Sequence, residues 1–422
     1  MTPPQHSAAV SLVAPSPSPS PSPSPAASVS AGPEPSVVAE LKRRLQGASA
    51  ASFDVQLPDH RVYRVGSEPP SFTLRLRTPA ALAALDSFDE FAVASAYMNG
   101  AIDFDGDFLA ALDLRKAMTD FHPLHSLWRH LRPMLFGQVD TDKLWVQQHY
   151  DYGNDFYFAF LDKRVKLYSQ ALYRSDKQSL EDAAEQKLEY VYRACRLAPG
   201  SHVLDIGAGW GSFAGYASAR GVDVTMLTIS KEQHEHQKGL VAANAAPGSL
   251  ETVFESIFAY DSPWKYDAIV LLGVMEHLPD YKRLFAVLEG LLKPGGRLYM
   301  DFASNRIKFN VSSFTYRYIF PGSHTPVVIP DLLAAANRTA FETVSLHNDR
   351  HSYFLTLQAW GRNLEAGRDA LVPKYGERTF RLFQLYLWGC ARQFQKDGEL
   401  ESYRIVFQKG YGAPSAQIGL KH

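Results

Sequence analysis

Cysteine is scarce in this chain, with two residues, Cys195 and Cys390, among 422. Two thiols cannot build a disulfide framework, which excludes the small disulfide-stapled class and implies a reducing compartment. Excess charge is also missing. Lys and Arg number 43 against 44 Asp and Glu, a formal net charge of −1. So balanced a chain is not a bulk nucleic-acid binder. No apolar run reaches transmembrane length, and the start lacks the basic flank and apolar stretch of a secretory signal. These absences set the expectation of a cytoplasmic protein that meets any membrane substrate from the inner face. The acidic stretch at 101–107 lacks EF-hand spacing, and no metal is expected.

What is present is organised in blocks. Residues 1–36 are low complexity, with a Pro-Ser repeat from Pro15 to Pro25. They cannot bury enough apolar surface to offset chain entropy and read as a disordered tail. Residues 37–130 read as a small α+β domain, with strands at 53–57, 71–76 and 101–107 and a helix at 86–99. Residues 131–200 read as a largely helical connector and cover, with a helix at 180–197 stopped by Pro199-Gly200. Residues 201–422 form the main domain. Its strands are expected at 203–206, 224–228, 268–272 and 297–302, alternating with helices, which implies a doubly wound parallel α/β sheet of Rossmann type. A further strand is expected at 353–360, in a C-terminal part that covers the strand ends, where ligands bind in such sheets.

The most informative stretch is Val203-Leu-Asp-Ile-Gly-Ala-Gly-Trp-Gly211. An apolar strand ends in three glycines, and an amphipathic segment, 212–219, follows. Glycine permits the tight turn and lets a ligand press on the backbone. The following helix offers free N–H groups to that ligand. This is the opening βαβ of a nucleotide-type site, and its Asp-Ile-Gly-x-Gly-x-Gly form resembles the S-adenosylmethionine (SAM) loop of Rossmann-like methyltransferases. A NAD site is the competing reading. It is disfavoured because Thr228-Ile229-Ser230, not an acid, follows the second strand.

Other motifs fall in order along the chain: Ala96-Tyr-Met-Asn-Gly100, His149-Tyr-Asp-x-Gly-Asn-Asp-Phe-Tyr157, Leu167-Tyr-Ser169, Leu227-Thr-Ile-Ser-x-x-Gln233, Met275-Glu-His277, Tyr318-Ile-Phe-Pro-Gly322 and Tyr353-x-x-Thr-Leu-x-x-Trp360. With the glycine loop, they make the chain resemble the cyclopropane fatty acid synthase family of SAM-dependent methyltransferases, over roughly residues 85 to 410. The resemblance implies a SAM donor and a methyl acceptor at a cis double bond of an acyl chain in a membrane phospholipid. It also implies a carbocation and a base that removes a proton from the new methyl group. Family members hold bicarbonate as that base. By carry-over, Tyr168, Ser169, Gly207, Gly209, Thr228, Ile229 and Gln233 would bind the cofactor. Glu276 and Tyr353 would serve the chemistry, His277 would be structural, and His149 and Tyr150 would line the entrance.

Two positions depart from the family pattern. Gln170 stands where a cysteine is usual. Asp301 stands at the histidine position of the bicarbonate site, counting from Lys293-Pro-Gly-Gly296. A carboxylate there would repel bicarbonate, and beside Glu276 one of two like charges should have a raised pKa. The expectation is a bicarbonate-independent enzyme in which Asp301 is the base or the cation is quenched differently. The product would be a cyclopropane, a methyl-branched or methylene chain, or a methylated polyunsaturated chain. Phe302, Phe309, Phe314, Tyr316, Tyr318, Ile319 and Phe320, interleaved with Arg306, Lys308 and Arg317, suit contact with anionic headgroups. Two other functions stay open: a small-molecule O- or N-methyltransferase, and a non-catalytic SAM- or lipid-binding protein. A homodimer is a further expectation from the family.

Overall fold

The computed structural model describes residues 32–48, 50–120, 152–308, 311–320 and 324–411. The Pro-Ser repeat, His149, Tyr150, Phe309 and Pro321-Gly322 lie outside these residues.

A helix, α1 (Ser36–Leu45), is followed by a four-stranded sheet of β1 (Phe53–Gln56), β2 (Val62–Val65), β3 (Phe72–Leu76) and β4 (Ile102–Gly106), in the order β2-β1-β3-β4. The expected strands at 53–57, 71–76 and 101–107 are all here, and β2 is an addition. The expected helix at 86–99 is present but shorter, and a separate helix precedes it. Helix α2 (Pro79–Asp86) ends, the chain turns through Ser87 and Phe88, and α3 (Glu90–Met98) starts afresh. The break is dictated locally. Phe88 adopts φ 52°, outside the helical region, and Asp89 caps α3 by accepting from Ala92 N–H at 2.6 Å. A short helix, α4 (Phe108–Ala111), closes this unit.

The segment leading into the main sheet carries α5 (Asn154–Phe160) and α6 (Leu180–Ala194), with an irregular run between them. Helix α6 starts where Ser179 accepts from Asp182 N–H at 3.1 Å, with Glu181 and Asp182 in its first turn. Its buried face is Leu180, Ala183, Ala184, Lys187, Leu188 and Val191. That spacing is helical, and one member of it is a lysine.

The main sheet has the order β10-β11-β9-β8-β5-β6-β7. In chain order its elements are β5 (His202–Ile206), α7 (Ser212–Ser218), β6 (Asp223–Thr228), α8 (Lys231–Ala243), β7 (Leu250–Phe254), β8 (Tyr266–Leu272), α9 (Tyr281–Leu291), β9 (Leu292–Ser304), α10 (Ile329–Ala336), β10 (Phe341–Asn348), α11 (Arg350–Ala366), α12 (Arg368–Tyr375), α13 (Glu377–Phe394) and β11 (Glu401–Lys409). Strands β5 to β9 pair in parallel, and β10 and β11 add an antiparallel end. The α/β doubly wound fold is therefore as expected, with a mixed rather than wholly parallel sheet. The strand order reverses between β5 and β8, which opens a crevice at their C-terminal ends.

The strand expected at 353–360 is instead part of helix α11. Its buried residues are Leu355, Thr356, Leu357, Trp360, Gly361 and Leu364, a 3.6-residue repeat over the whole helix. The eight-residue window held enough aromatic and β-branched residues to imitate a strand.

Candidate active site

The glycine turn leaves β5 with Gly207, Gly209 and Gly211 at φ 66°, 58° and 76°. This left-handed conformation favours glycine. A Cβ on Gly207 would meet Val274 Cγ2 at 2.6 Å, and one on Gly211 would meet Leu240 Cδ1 at 2.6 Å. A Cβ on Gly209 would meet nothing within 4 Å. Two glycines are thus crowded by neighbouring side chains, and the third faces open space where a ligand would press. Gln237 of α8 holds this turn, donating from Nε2 to the Gly209 carbonyl at 2.8 Å, and Trp210 donates from Nε1 to Asn154 Oδ1 at 2.7 Å. At the end of β6, Thr228 Oγ1 donates to Gln233 Oε1 at 3.0 Å, with half-buried Ile229 between them in sequence. The donor-site candidates from β5 and β6 therefore converge at one edge of the crevice.

Across the crevice, β8 ends at Leu272 and Gly273 leads into a single 3-10 turn, Met275–His277. This turn delivers Glu276 to the floor of a cavity of about 280 Å³. Tyr168 and Tyr353 line the same cavity. Its walls extend to Val93 and Ala94 of α3 and to Leu357, Leu385 and Tyr386 of α11 and α13. Tyr168 joins the two regions. Its ring lies 5.9 Å from that of Trp210 in the glycine turn and 5.4 Å from that of Trp360 in the cavity wall.

Glu276 is 6% exposed. Its Oε1 accepts from Ala303 N–H at 2.6 Å, and its Oε2 is buried without a hydrogen-bond partner. Burial pushes its carboxyl up to about 7, against the Ala303 bond that favours the ionised form. His277 lies beside it, 5.0 Å from the ring of His324, and burial pulls it down to about 4. It is neutral at pH 7 and lines the cavity beside Glu276.

Asp301 is in β9 but does not line the cavity. Its carboxylate is 1% exposed and lies 2.9 Å from Lys187 Nζ, which is itself 0% exposed and donates to Ser169 Oγ at 2.7 Å. The expected Glu276–Asp301 repulsion is present but secondary. Burial is the larger cause of the upward shift at both residues, and Lys187 opposes it at Asp301. Gln170 is also behind the site: it donates to Asp349 Oδ2 at 3.2 Å and accepts from Ser402 Oγ. Asp349 in turn pairs with Arg404.

The aromatic-basic segment is more inward than its composition implied. Phe302, Phe314 and Ile319 are core residues, and Phe314 and Phe320 line the cavity. Its outward part is Arg306, Ile307 and Arg317, with Ile307 65% exposed. No helix among the described residues is long and apolar enough to cross a membrane.

Comparison with known proteins decides the lineage of this site. The family described as mycolic acid cyclopropane synthetase matches residues 138–404, which include every site residue named above outside the small sheet unit. The chain belongs to that family. It is 30% identical over 383 residues to the cyclopropane-fatty-acyl-phospholipid synthase of Escherichia coli, covering 86% of this chain and 97% of that one. It is 29% identical over 354 residues to the sphingolipid C9-methyltransferase of Komagataella phaffii, covering 77% and 72%. The crystal structure of mycolic acid cyclopropane synthase CmaA1, complexed with SAH and CTAB, superposes with a TM-score of 0.58 at 26% identity, over 63% of this chain and 98% of that one. The chain is thus a SAM-dependent methyltransferase of the Rossmann-like fold.

Lys187 and Gln237 escaped the sequence reading. The available signal for Lys187 was a charged residue on the apolar stripe of α6. For Gln237, one helical turn beyond Gln233, no signal set it apart.

Proposed function

We propose that this enzyme methylates a double-bond carbon in the unsaturated acyl chain of a membrane phospholipid, with the chain held in the cavity above Glu276. The supporting observation is the cavity itself. A largely apolar space reaches from α3 to the 3-10 turn, and one unpartnered carboxylate oxygen stands in it. A soluble polar acceptor would leave such walls unsatisfied, whereas a hydrocarbon chain suits them. SAM supplies the electrophilic methyl group. The Gly209 surface, Thr228, Gln233, Tyr168 and Ser169 form its side of the crevice.

The protein's part is to bind the alkene, shield the cation and take a proton. Aromatic faces of Tyr168, Tyr353 and Trp360 border the space, which favours a passing positive charge. Glu276, ionised, adds electrostatic stabilisation and is placed to accept the proton. The residues present do not fit bicarbonate. The histidine position is occupied by Asp301, and its carboxylate is turned to Lys187 rather than offering a donor to the cavity. Exposed Arg306 and Ile307 at the segment lining the cavity's rim suit an anionic membrane surface.

Lipids from cells expressing this chain, fed methyl-labelled methionine, test the reading by mass spectrometry. The expected result is a labelled gain of one CH₂ on unsaturated phospholipid acyl chains, absent with Glu276→Gln. Fragmentation separates ring from branch. Label confined to sphingolipids would favour the chemistry named for the Komagataella relative, and label in no lipid would refute the proposal.

A further inference from the structure

We propose that Lys187 is a positioning residue for the methyl-donor wall and that Asp301 is its fixed counter-ion, not a proton acceptor. This deepens the function proposed above and rests on it for the chemistry, though not for the binding measurement that tests it.

An ammonium group on the apolar face of a helix persists only with partners. Lys187 has two: Asp301 Oδ2 at 2.9 Å and Ser169 Oγ at 2.7 Å. These partners belong to different walls of the site. Ser169 follows Tyr168, which touches both the glycine turn and the acceptor cavity. Asp301 lies two residues before Ala303, whose N–H holds Glu276. One cation therefore ties the donor wall to the strand that positions the proposed base.

The surrounding packing leaves this tie little slack. A Cβ on Gly207 would run into Val274, and one on Gly273 would lie 3.0 Å from Ser169 Cβ. Gly273 N–H donates to the Asp301 carbonyl at 3.1 Å. The glycine turn, the β8 exit, Ser169 and Asp301 are thus in continuous contact, and Lys187 bonds to two of them. Farther along the wall, Ala171 N–H donates to Thr356 Oγ1 at 3.0 Å and Tyr173 N–H to Ser352 Oγ at 3.1 Å. At Ser169 the partner is instead a formal charge, which makes the stronger bond.

Asp301 and Asp349 also find their cationic partners within the chain. In the β9–β11 register Asp301 is opposite Arg404, and Arg404 pairs with Asp349. Lys187 and Arg404 thus each face a carboxylate behind the wall, and buried Asp205 and Glu276 also feel Lys187. For Asp301 to take a proton from substrate it would have to give up Lys187 and reach a cavity it does not line.

The test uses the full chain with Lys187→Met, Asp301→Asn and the double variant. Each is scored by SAH affinity in calorimetry, by melting temperature and by labelled methyl transfer. Lys187→Met should weaken SAH binding at least tenfold. Asp301→Asn should weaken it severalfold and retain measurable turnover. The double variant should bind SAH better than the two single effects multiplied together, because no unpaired charge remains. Lys187→Gln keeps a donor of similar reach and serves if Lys187→Met does not fold. A fall in melting temperature with unchanged SAH affinity would show a merely structural lysine and overturn the proposal. Normal SAH affinity with no turnover in Asp301→Asn would also overturn it, since that is the signature of a base. If the unaltered chain bound SAH but methylated no lipid, the proposed function would fail and the binding comparison would still stand.

Discussion

Replacing Glu276 by Gln should abolish methyl transfer and, at neutral to alkaline pH, stabilise the protein. The substitution keeps the acceptor for Ala303 N–H and places a neutral amide where Oε2 stands in the cavity. Burial raises the Glu276 carboxyl from its ordinary 4.5 to about 7. Below 4.5 the folded and unfolded chains both carry the proton, and stability is unaffected. Between 4.5 and 7 the unfolded chain releases it while the folded chain keeps it, so stability falls as pH rises. Above 7 the full cost applies, about 3 kcal/mol. Glutamine removes that cost. Melting curves at pH 5 and pH 8 check it: the variant should melt several degrees higher at pH 8, and the gap should shrink to about 1 kcal/mol at pH 5. Activity of the unaltered enzyme should run the other way, rising with pH through about 7 as the carboxylate forms. Equal melting temperatures at pH 8, or a variant that still transfers methyl groups, would refute the reasoning.

Tyr353→Phe, which removes one hydroxyl from the cavity, should slow turnover on the order of a hundredfold while leaving SAH affinity unchanged, by label transfer and calorimetry. Gly209→Ala places a Cβ in the open space at φ 58°. It should cost about 1–2 kcal/mol of stability through backbone strain and weaken SAH binding, as melting and titration would show. Ala94→Phe narrows the cavity at α3, away from Glu276. It should shift labelled products toward shorter acyl chains, read from the chain-length profile of the lipids.

The parallel core was legible because its strands are short, mainly apolar runs with glycine at their ends, as in Val203 to Gly207, where only Asp205 is polar. The donor side was legible for the same reason: a turn that needs left-handed backbone must show its glycines. The C-terminal part was not. Residues 353–360 look like a strand in a short window, and the helical repeat emerges only over 350–366. Strands β10 and β11 lack the apolar continuity of the centre, and their pairing depends on register between distant segments. Asp301 was found by its place in a motif, but its role depends on Lys187, which a linear pattern does not bring near. A charge on an apolar helical face signals a buried partner without naming it.

The position of β11 has a consequence for biosynthesis. This strand, at 401–409, lies between β9 and β10 and pairs with both. A ribosome-bound chain that has not yet reached residue 409 therefore has β9, with its row of buried apolar side chains, as an open edge. Strand β10 then has no neighbour at all. Arg404 and Ser402 are also missing, so Asp349 and Gln170 wait without the partners that seat them. The wall of the site therefore cannot set until residues 401–409 have emerged. During that interval the nascent protein presents a strand edge of the kind that recruits chaperones or mispairs.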